Sequence, residues 1–198
     1  MAEITAQAVN EFRKKTGLGL MECKKLLQEA EGDLKKAETL AKERGMKQAE
    51  QRAGRAAKAG RIDVYIHHDS KSGVLIELNC ETDFVARNEE FKQLAKDLAL
   101  HVMAANPLYV KREDVPEEVI AEQKRIFMMQ VADKPKNVQE KISQGKLEAW
   151  YSEVVLLDQP FVRDNTKSVR DVILAVNART GENISVARFA RFVVGEGR

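Results

Sequence analysis

The chain offers few residue patterns that could make or break covalent bonds. It has three histidines, and two of them, His67 and His68, are adjacent and are followed by Asp69. Neighbouring residues of a strand point to opposite faces, so this pair cannot easily hold one metal ion. The sequence has neither an HExxH zinc motif nor the GxSxG turn of a nucleophilic serine. We therefore predict no metal site, no catalytic residue and no enzymatic activity.

Glycine and cysteine patterns exclude further classes of site. Gly17 and Gly19 lack the third glycine of a dinucleotide fingerprint and follow no predicted strand, so they predict a tight turn between helices. Cys23 and Cys80 are the two cysteines of the chain, too few for a disulfide framework or a four-cysteine metal site. We expect two buried, reduced thiols and no cofactor.

The most unusual segment, residues 81–87 (ETDFVAR), joins a predicted strand to a predicted helix. Phe84 and Val85 stand beside Asp83, whereas such connections are usually polar. Two interpretations of Phe84 stay open. An exposed aromatic residue flanked by a carboxylate is typical of an interface anchor. A core position is favoured by parity, which Phe84 shares with the apolar strand residues Val74, Ile76, Leu78 and Cys80.

The elements that position this segment begin with a small helical module, residues 1–54. Apolar residues at helical spacing predict three short helices. Thr16-Gly17 ends the first helix, Gly32 ends the second, and Asp33 caps the third. We expect the third helix to continue into a linker.

Beyond the linker the apolar period changes from helical to alternating. Residues 62–66 and 74–80 flank a polar turn, which predicts a β-hairpin. Asn88 is the predicted cap of a helix that ends before Pro107. Residues 183–194 alternate again and predict a final strand. One parity of that strand carries Ile184, Val186, Ala190, Phe192 and Val194.

Between these segments the sequence predicts further helices. Pro116 and Pro135 begin two of them, which indicates an inserted helical hairpin at about 115–158. Ser168 and Asp171 have the spacing of a capping box for a last helix. The predicted fold is α+β: a helical module, an antiparallel sheet backed by helices, and the inserted hairpin.

Composition limits the partners. The 198 residues carry 33 Lys and Arg against 31 Asp and Glu, so the net charge of +2 disfavours a strongly basic polyphosphate binder. Residues 42–61 hold seven basic and two acidic residues, which favours a solvated linker but leaves an RNA- or ribosome-binding stretch as the alternative. No apolar run reaches the ~18 residues of a membrane span. The N-terminus shows no secretory pattern, so we expect a cytoplasmic protein.

Several segments resemble the bacterial elongation factor Ts family, and together they cover essentially the whole chain in order. They are VNEFRKKTGLGLMECKKLLQEAEGD, ELNCETDFVARNEEF, KPKNVQEKISQGKLEAWYSEVVLLDQPFV and GENISVARFARF. The TDFV segment, Thr82 to Val85, is the most specific. The resemblance implies a guanine-nucleotide exchange factor for the GTPase elongation factor Tu, acting without covalent chemistry. It also implies a ubiquitin-associated-like N-terminal module (1–54) and a core domain (55–198).

The resemblance further implies which residues meet the GTPase. Thr82, Asp83, Phe84 and Val85 dock on its nucleotide domain, where the Asp-Phe pair intrudes beside the magnesium ion and dislodges it. Within the helical module, the matching contact residues are Arg13, Leu20 and Met21.

The same resemblance makes His101, on the helix that precedes Pro107, a further contact with the GTPase. A half-buried structural role is the alternative for this histidine. Longer family members carry two core subdomains, whereas this chain has room for one. We therefore expect a non-covalent homodimer formed through the sheet, with an unpaired edge on the 183–194 strand. We expect no membrane and no direct nucleic-acid contact.

Overall fold

The computed structural model describes residues 4–52 and 55–196. The helices are α1 (Ala6–Thr16), α2 (Leu20–Glu29), α3 (Leu34–Arg52), α4 (Asp83–Ala86), α5 (Glu89–Ala105), α6 (Glu117–Met129), α7 (Lys136–Val154) and α8 (Val169–Thr180). The strands are β1 (Ala59–Ile66), β2 (Ser72–Cys80), β3 (Pro160–Phe161), β4 (Asp164–Ser168) and β5 (Ser185–Val193). None of the described helices is both long and apolar enough to cross a membrane. The predicted α+β class is confirmed.

The first three helices form a module with its own small core. Thr5 caps α1, and Gly17 ends it with a left-handed backbone (φ 73°) whose N–H donates to the carbonyl of Arg13. The carboxylate of Asp33 accepts the N–H groups of Lys35 and Lys36 at the start of α3. The end at Gly17 and the cap at Asp33 are those that the sequence predicted, whereas the cap at Thr5 was not predicted. The buried residues are Val9, Phe12, Cys23, Leu26, Leu27, Ala30 and Ala37.

The main sheet has the order β1–β2–β5, with both pairs antiparallel. The inner face of the central strand β2 packs against α5, and α8 completes the layer. The apolar stripe of α5 is buried here. Its members are Phe91, Leu94, Ala95, Leu98 and Val102.

A β-bulge in β5 changes the face on which its apolar residues lie. Glu77 pairs with Arg188, but Leu78 pairs with Val186, so Ala187 is the extra residue. Ile184 and Val186 are buried in the core, whereas the later residues of the same parity point outward. Those outward residues are Ala190, Phe192 and Val194. The sequence put all five on one face, and that expectation was wrong because a bulge reverses the alternation.

The outer sheet face is apolar and uncovered within the described chain. On the inner side of β1, Ala59 and Tyr65 pack against the core, and between them the buried Asp63 pairs with Arg61 at 3.0 Å. The branched apolar residues of β1, which are Ile62, Val64 and Ile66, face outward. We define the outer sheet face by its exposed apolar residues, which are Ile62, Val64, Ile66, Leu75, Phe192 and Val194.

The inserted hairpin is present as α6 and α7, which pack against each other and continue into the segment before β3. Its buried side chains are few, which agrees with a projecting element. Val115, Leu147, Tyr151 and Val155 form its small apolar cluster, and Val131 and Ser143 are also buried.

The helical module contacts the core through α3 and α8. Lys42 lies 3.2 Å from the carboxylate of Asp171, and Gly45 lies against Ala178. The boundary predicted at residue 54 falls in a pair, 53–54, outside the described residues. We propose that it separates a module that docks on α8 from a core that folds without it, since the two apolar cores are distinct.

Deleting residues 1–54 tests this proposed boundary. We expect the remaining chain to fold, because the buried residues of its core all lie after residue 54, but to melt at a lower temperature because α8 loses its cover. Circular dichroism with thermal melting measures both. A truncated chain with no cooperative transition would contradict the boundary.

Candidate functional site

The Thr82–Val85 segment is a helix cap followed by the first residues of α4. The hydroxyl of Thr82 accepts the N–H of Val85 at 3.4 Å, and Val85 turns into the core. Phe84 is 84% exposed. The parity that favoured a core position fails because the chain changes from strand to helix at Asp83, so the period changes from 2.0 to 3.6 residues. The structure therefore selects the exposed interpretation of Phe84.

Glu182 fixes the backbone that precedes Phe84. One carboxylate oxygen accepts the N–H groups of Glu81 and Thr82, both at 3.1 Å, and the other accepts the Thr82 hydroxyl at 2.5 Å. In return, Glu81 accepts the N–H of Asn183 at 2.8 Å. Sequence reasoning missed Glu182, because no local pattern pairs residues that are 100 positions apart.

Cys80 closes the same turn from the core side. Its buried thiol donates to the carbonyl of Thr82 at 3.2 Å. Burial, supported by the negative charge of Glu182, raises the pKa of the Cys80 thiol to about 11. The thiol is therefore protonated at neutral pH and available as a donor. The other cysteine, Cys23, is also buried and free, as expected.

The three predicted contact residues of the helical module flank its first turn. Arg13 is exposed near the end of α1, and Leu20 and Met21 begin α2 with 48% and 67% of their surfaces exposed. Two apolar side chains at this exposure and one cation have the composition of a small protein-binding surface.

Arg179 on α8 connects this surface to the Phe84 segment. Its guanidinium pairs with Glu90 at the start of α5, which directly follows α4. Its aliphatic part lies so close to Gly17 that a β-carbon there would be 2.3 Å from the Cδ atom. One side chain thus contacts both the loop before Leu20 and the helix after Phe84.

His101 is fully buried, so a partner cannot reach its imidazole in this fold. The N–H of Val162 donates to Nδ1 at 3.1 Å, which makes Nε2 the protonated nitrogen, and Nε2 donates to the side-chain oxygen of Gln159 at 2.9 Å. The predicted contact role does not fit this geometry. The sequence left a half-buried structural role open for His101 but did not show the segment 159–162 that covers it.

The other two histidines have accessible surface. His67 is half-buried and His68 is exposed, in the turn after β1, with ring centroids 4.3 Å apart. The Tyr65 hydroxyl lies 3.2 Å from Nδ1 of His67. Across the described residues, no group of three or more His, Cys, Asp or Glu side chains could hold a metal ion.

Comparison with known proteins identifies the family. The sequence model described as "Elongation factor TS" matches residues 21–196. The chain belongs to the elongation factor Ts family. Similar relatives include the elongation factor Ts of Thermodesulfovibrio yellowstonii, 53% identical over 98% of this chain and 97% of the relative. That of Thermotoga petrophila is 50% identical over 98% of both chains. That of Anaeromyxobacter dehalogenans is 50% identical over all of this chain and 91% of the relative.

Membership in the elongation factor Ts family gives the chain a role in translation elongation, and the relatives match it over nearly its whole length. The family model includes the Phe84 segment and Met21 but begins after Arg13 and Leu20. Arg13 and Leu20 lie within the matches to the relatives, which cover 98% or more of this chain.

A pH dependence of stability follows from the burial of His101. Burial lowers its pKa from the usual 6.5, and the hydrogen bond to Gln159 offsets only part of that shift. The unfolded chain therefore binds this proton more readily than the folded chain. The stability that His101 contributes is present above about pH 6.5 and is lost as the pH falls below it.

We expect the free energy of unfolding to fall between pH 7 and pH 5.5, with a slope of at most about 1.4 kcal/mol per pH unit from this one group. His101→Gln should flatten that slope. Urea unfolding across the window measures the slope, and an NMR titration of the His101 ring measures its pKa directly. A ring that titrates at or above pH 6.5 would contradict the prediction.

Proposed function

We propose that this member of the elongation factor Ts family is a guanine-nucleotide exchange factor that releases GDP from the translational GTPase elongation factor Tu. The observation that carries the proposal is Phe84, a large aromatic side chain 84% exposed on a turn whose backbone is fixed by the core. Exposed aromatic residues on ordered backbone are typical anchors of protein interfaces. Exchange takes place by binding alone, in the cytoplasm where translation occurs.

The mechanism concerns the magnesium ion of the GTPase. That ion bridges the nucleotide phosphates to the protein and neutralises their charge. Phe84 cannot ligate the ion, but it can separate the elements of the GTPase that hold the ion. The exposed carboxylate of Asp83 attracts or repels charged groups of the GTPase near the magnesium site. Loss of the ion weakens nucleotide binding. By linkage, the nucleotide weakens binding of the exchange factor by the same factor.

The surface of Arg13, Leu20 and Met21 provides a second contact with the nucleotide domain. Its apolar pair contributes affinity, and it is connected to the Phe84 segment through Arg179. A two-point contact restricts the orientation of the factor on the GTPase. It thereby directs Phe84 towards a single place on the partner.

The alternative, RNA binding by residues 42–61, is disfavoured by ion pairing. Of the seven basic residues in this stretch, four pair with carboxylates of the same chain. A paired cation offers less to a phosphate backbone, on which RNA affinity depends. The four pairs are Lys42–Asp171, Arg44–Glu29, Arg55–Glu81 and Arg61–Asp63.

We also propose a homodimer, which forms through the outer sheet face rather than through the edge of β5 alone. Six exposed apolar side chains on one face are more than isolated surface residues. Two such sheets can pack face to face at about 10 Å. β2 has nine residues, so Phe84 and the turn after β1 lie about 30 Å apart at opposite ends of the sheet. A second copy would present further contacts to the GTPase.

Phe84→Ala tests the proposed exchange mechanism. We expect well under 1 kcal/mol of lost folding stability, because the side chain is exposed. We expect GDP release to slow about thirtyfold, the equivalent of about 2 kcal/mol for an interface anchor. Stopped-flow release of a fluorescent GDP analogue from elongation factor Tu and thermal melting give both values. Excess Mg²⁺ should slow exchange by the unmodified chain.

Leu108→Ala is the matched control, since Leu108 is a large exposed apolar residue outside the proposed contacts. It should leave GDP release unchanged. A Phe84→Ala protein that melts far lower, yet whose folded fraction exchanges at the normal rate, would return Phe84 to the core and refute the mechanism.

Leu75→Glu tests the homodimer. Leu75 lies at the centre of the outer sheet face, opposite Val64 on one side and Ala190 on the other. A buried carboxylate there would be unpaired, so we expect the dimer to dissociate. Light scattering should give twice the 22.3 kDa chain mass for the unmodified protein and one chain mass for the variant. The control Met129→Glu, at an exposed site on α6, should remain dimeric. An unmodified protein that scatters as a monomer would contradict the proposal.

A further inference from the structure

We propose that Glu182 is a positioning residue for nucleotide exchange, which acts by fixing the turn from which Phe84 projects. The inference rests on the exchange function proposed above. Phe84 is too exposed for packing to set its direction. Its orientation must therefore come from the backbone before it, and that backbone is held by Glu182.

Glu182 accepts backbone hydrogen bonds at the point where strand pairing ends. The last pair between β1 and β2 is Ala59 with Cys80, and the last pair between β2 and β5 is Asn79 with Ser185. The N–H groups of the next two residues, at 81 and 82, therefore have no strand partner. The Glu182 carboxylate accepts both at 3.1 Å. Hydrogen bonds to an ionised acceptor are stronger than those between neutral groups.

The same carboxylate also orients the Thr82 side chain. The Thr82 hydroxyl donates to Glu182 at 2.5 Å, and the hydroxyl oxygen of Thr82 accepts the N–H of Val85 at 3.4 Å. This arrangement uses the hydroxyl as donor and acceptor at once. The N-cap of α4 is thereby connected to Glu182, and Phe84 lies within the helical turn that this cap begins.

Glu182 itself is attached to rigid structure. It follows Gly181, which ends α8 with a left-handed backbone (φ 75°) and donates its N–H to Asn177. The next residue, Asn183, donates its N–H to Glu81 at 2.8 Å and its side-chain amide to the carbonyl of Arg55 at 3.2 Å. The turn is thus joined in both directions to the segment between α8 and β5. A segment that is ordered in this way loses less conformational entropy when it binds a partner.

The test is Glu182→Ala, with exchange measured against factor concentration. We expect the maximal rate of GDP release to fall about tenfold, because Phe84 is in the productive orientation less often. The half-saturating concentration should change less, since the surface of Arg13, Leu20 and Met21 is intact. Glu140→Ala, at an exposed site on α7, is the control and should exchange normally.

A double-mutant cycle separates positioning from a purely structural effect. In the Phe84→Ala background, adding Glu182→Ala should slow release by no more than about twofold, because both changes act through the same side chain. Glu182→Gln retains an oxygen that can accept the two N–H groups, so it should recover most of the rate. If Glu182→Ala does not fold, Thr82→Val decides, and it should slow release because it removes both the hydrogen bond to Glu182 and the cap on the N–H of Val85.

The outcomes distinguish this inference from the function on which it rests. If Phe84→Ala slows release but folded Glu182→Ala or Thr82→Val exchanges at the normal rate, the positioning role is wrong and the exchange function stands. A tenfold loss that is equally large in the Phe84→Ala background would also overturn it. If Phe84→Ala itself exchanges normally, the proposed function fails.

Discussion

Where β2 ends at Cys80, the backbone loses its strand partners and must satisfy its polar groups in another way. The carboxylate of Glu182, the Thr82 hydroxyl and the Cys80 thiol together satisfy the N–H, carbonyl and hydroxyl groups of that turn. This arrangement lets an apolar side chain project into solvent from ordered backbone. Without it, hydrophobic collapse would draw Phe84 back onto the sheet, because burial of an aromatic side chain is favourable by about 1.5–3 kcal/mol.

The three-stranded sheet supports the core with its inner face and exposes apolar residues on its outer face, and the strands contribute differently to the two faces. β2 is apolar on its inner face and supports the core, whereas β1 carries its branched apolar residues outward and its ion pair, Arg61 with Asp63, inward. The bulge at Ala187 lets β5 contribute to both faces, first inward and then outward. A single parity of apolar residues therefore serves the core at one end of the strand and the outer sheet face at the other.

The features that could be predicted from the sequence are those set by neighbours in the chain. Helix ends at Gly17, Asp33 and Ser168 depend on local caps, and they were found where the residue types indicated. The features that could not be predicted depend on distant partners. The burial of His101 depends on the segment that follows α7. The hydrogen bonds that fix Thr82 depend on the carboxylate of Glu182, 100 residues away. The exposure of Phe84 was indicated by the family resemblance and opposed by strand parity.

The proposed exchange function involves no covalent chemistry, so it depends on geometry rather than on reactivity. The buried thiol of Cys80, for example, is protonated and is used as a hydrogen-bond donor rather than as a nucleophile. The binding energy of Phe84 would promote exchange only where it displaces the ion, and not where it orders the Phe84 segment itself. In the proposed mechanism, a turn already ordered by Glu182, and connected through Arg179 to a second exposed surface, meets that requirement before the partner binds. Under that proposal the order of the free protein contributes to exchange, because every contact that is fixed in advance leaves more of the interface energy for the partner.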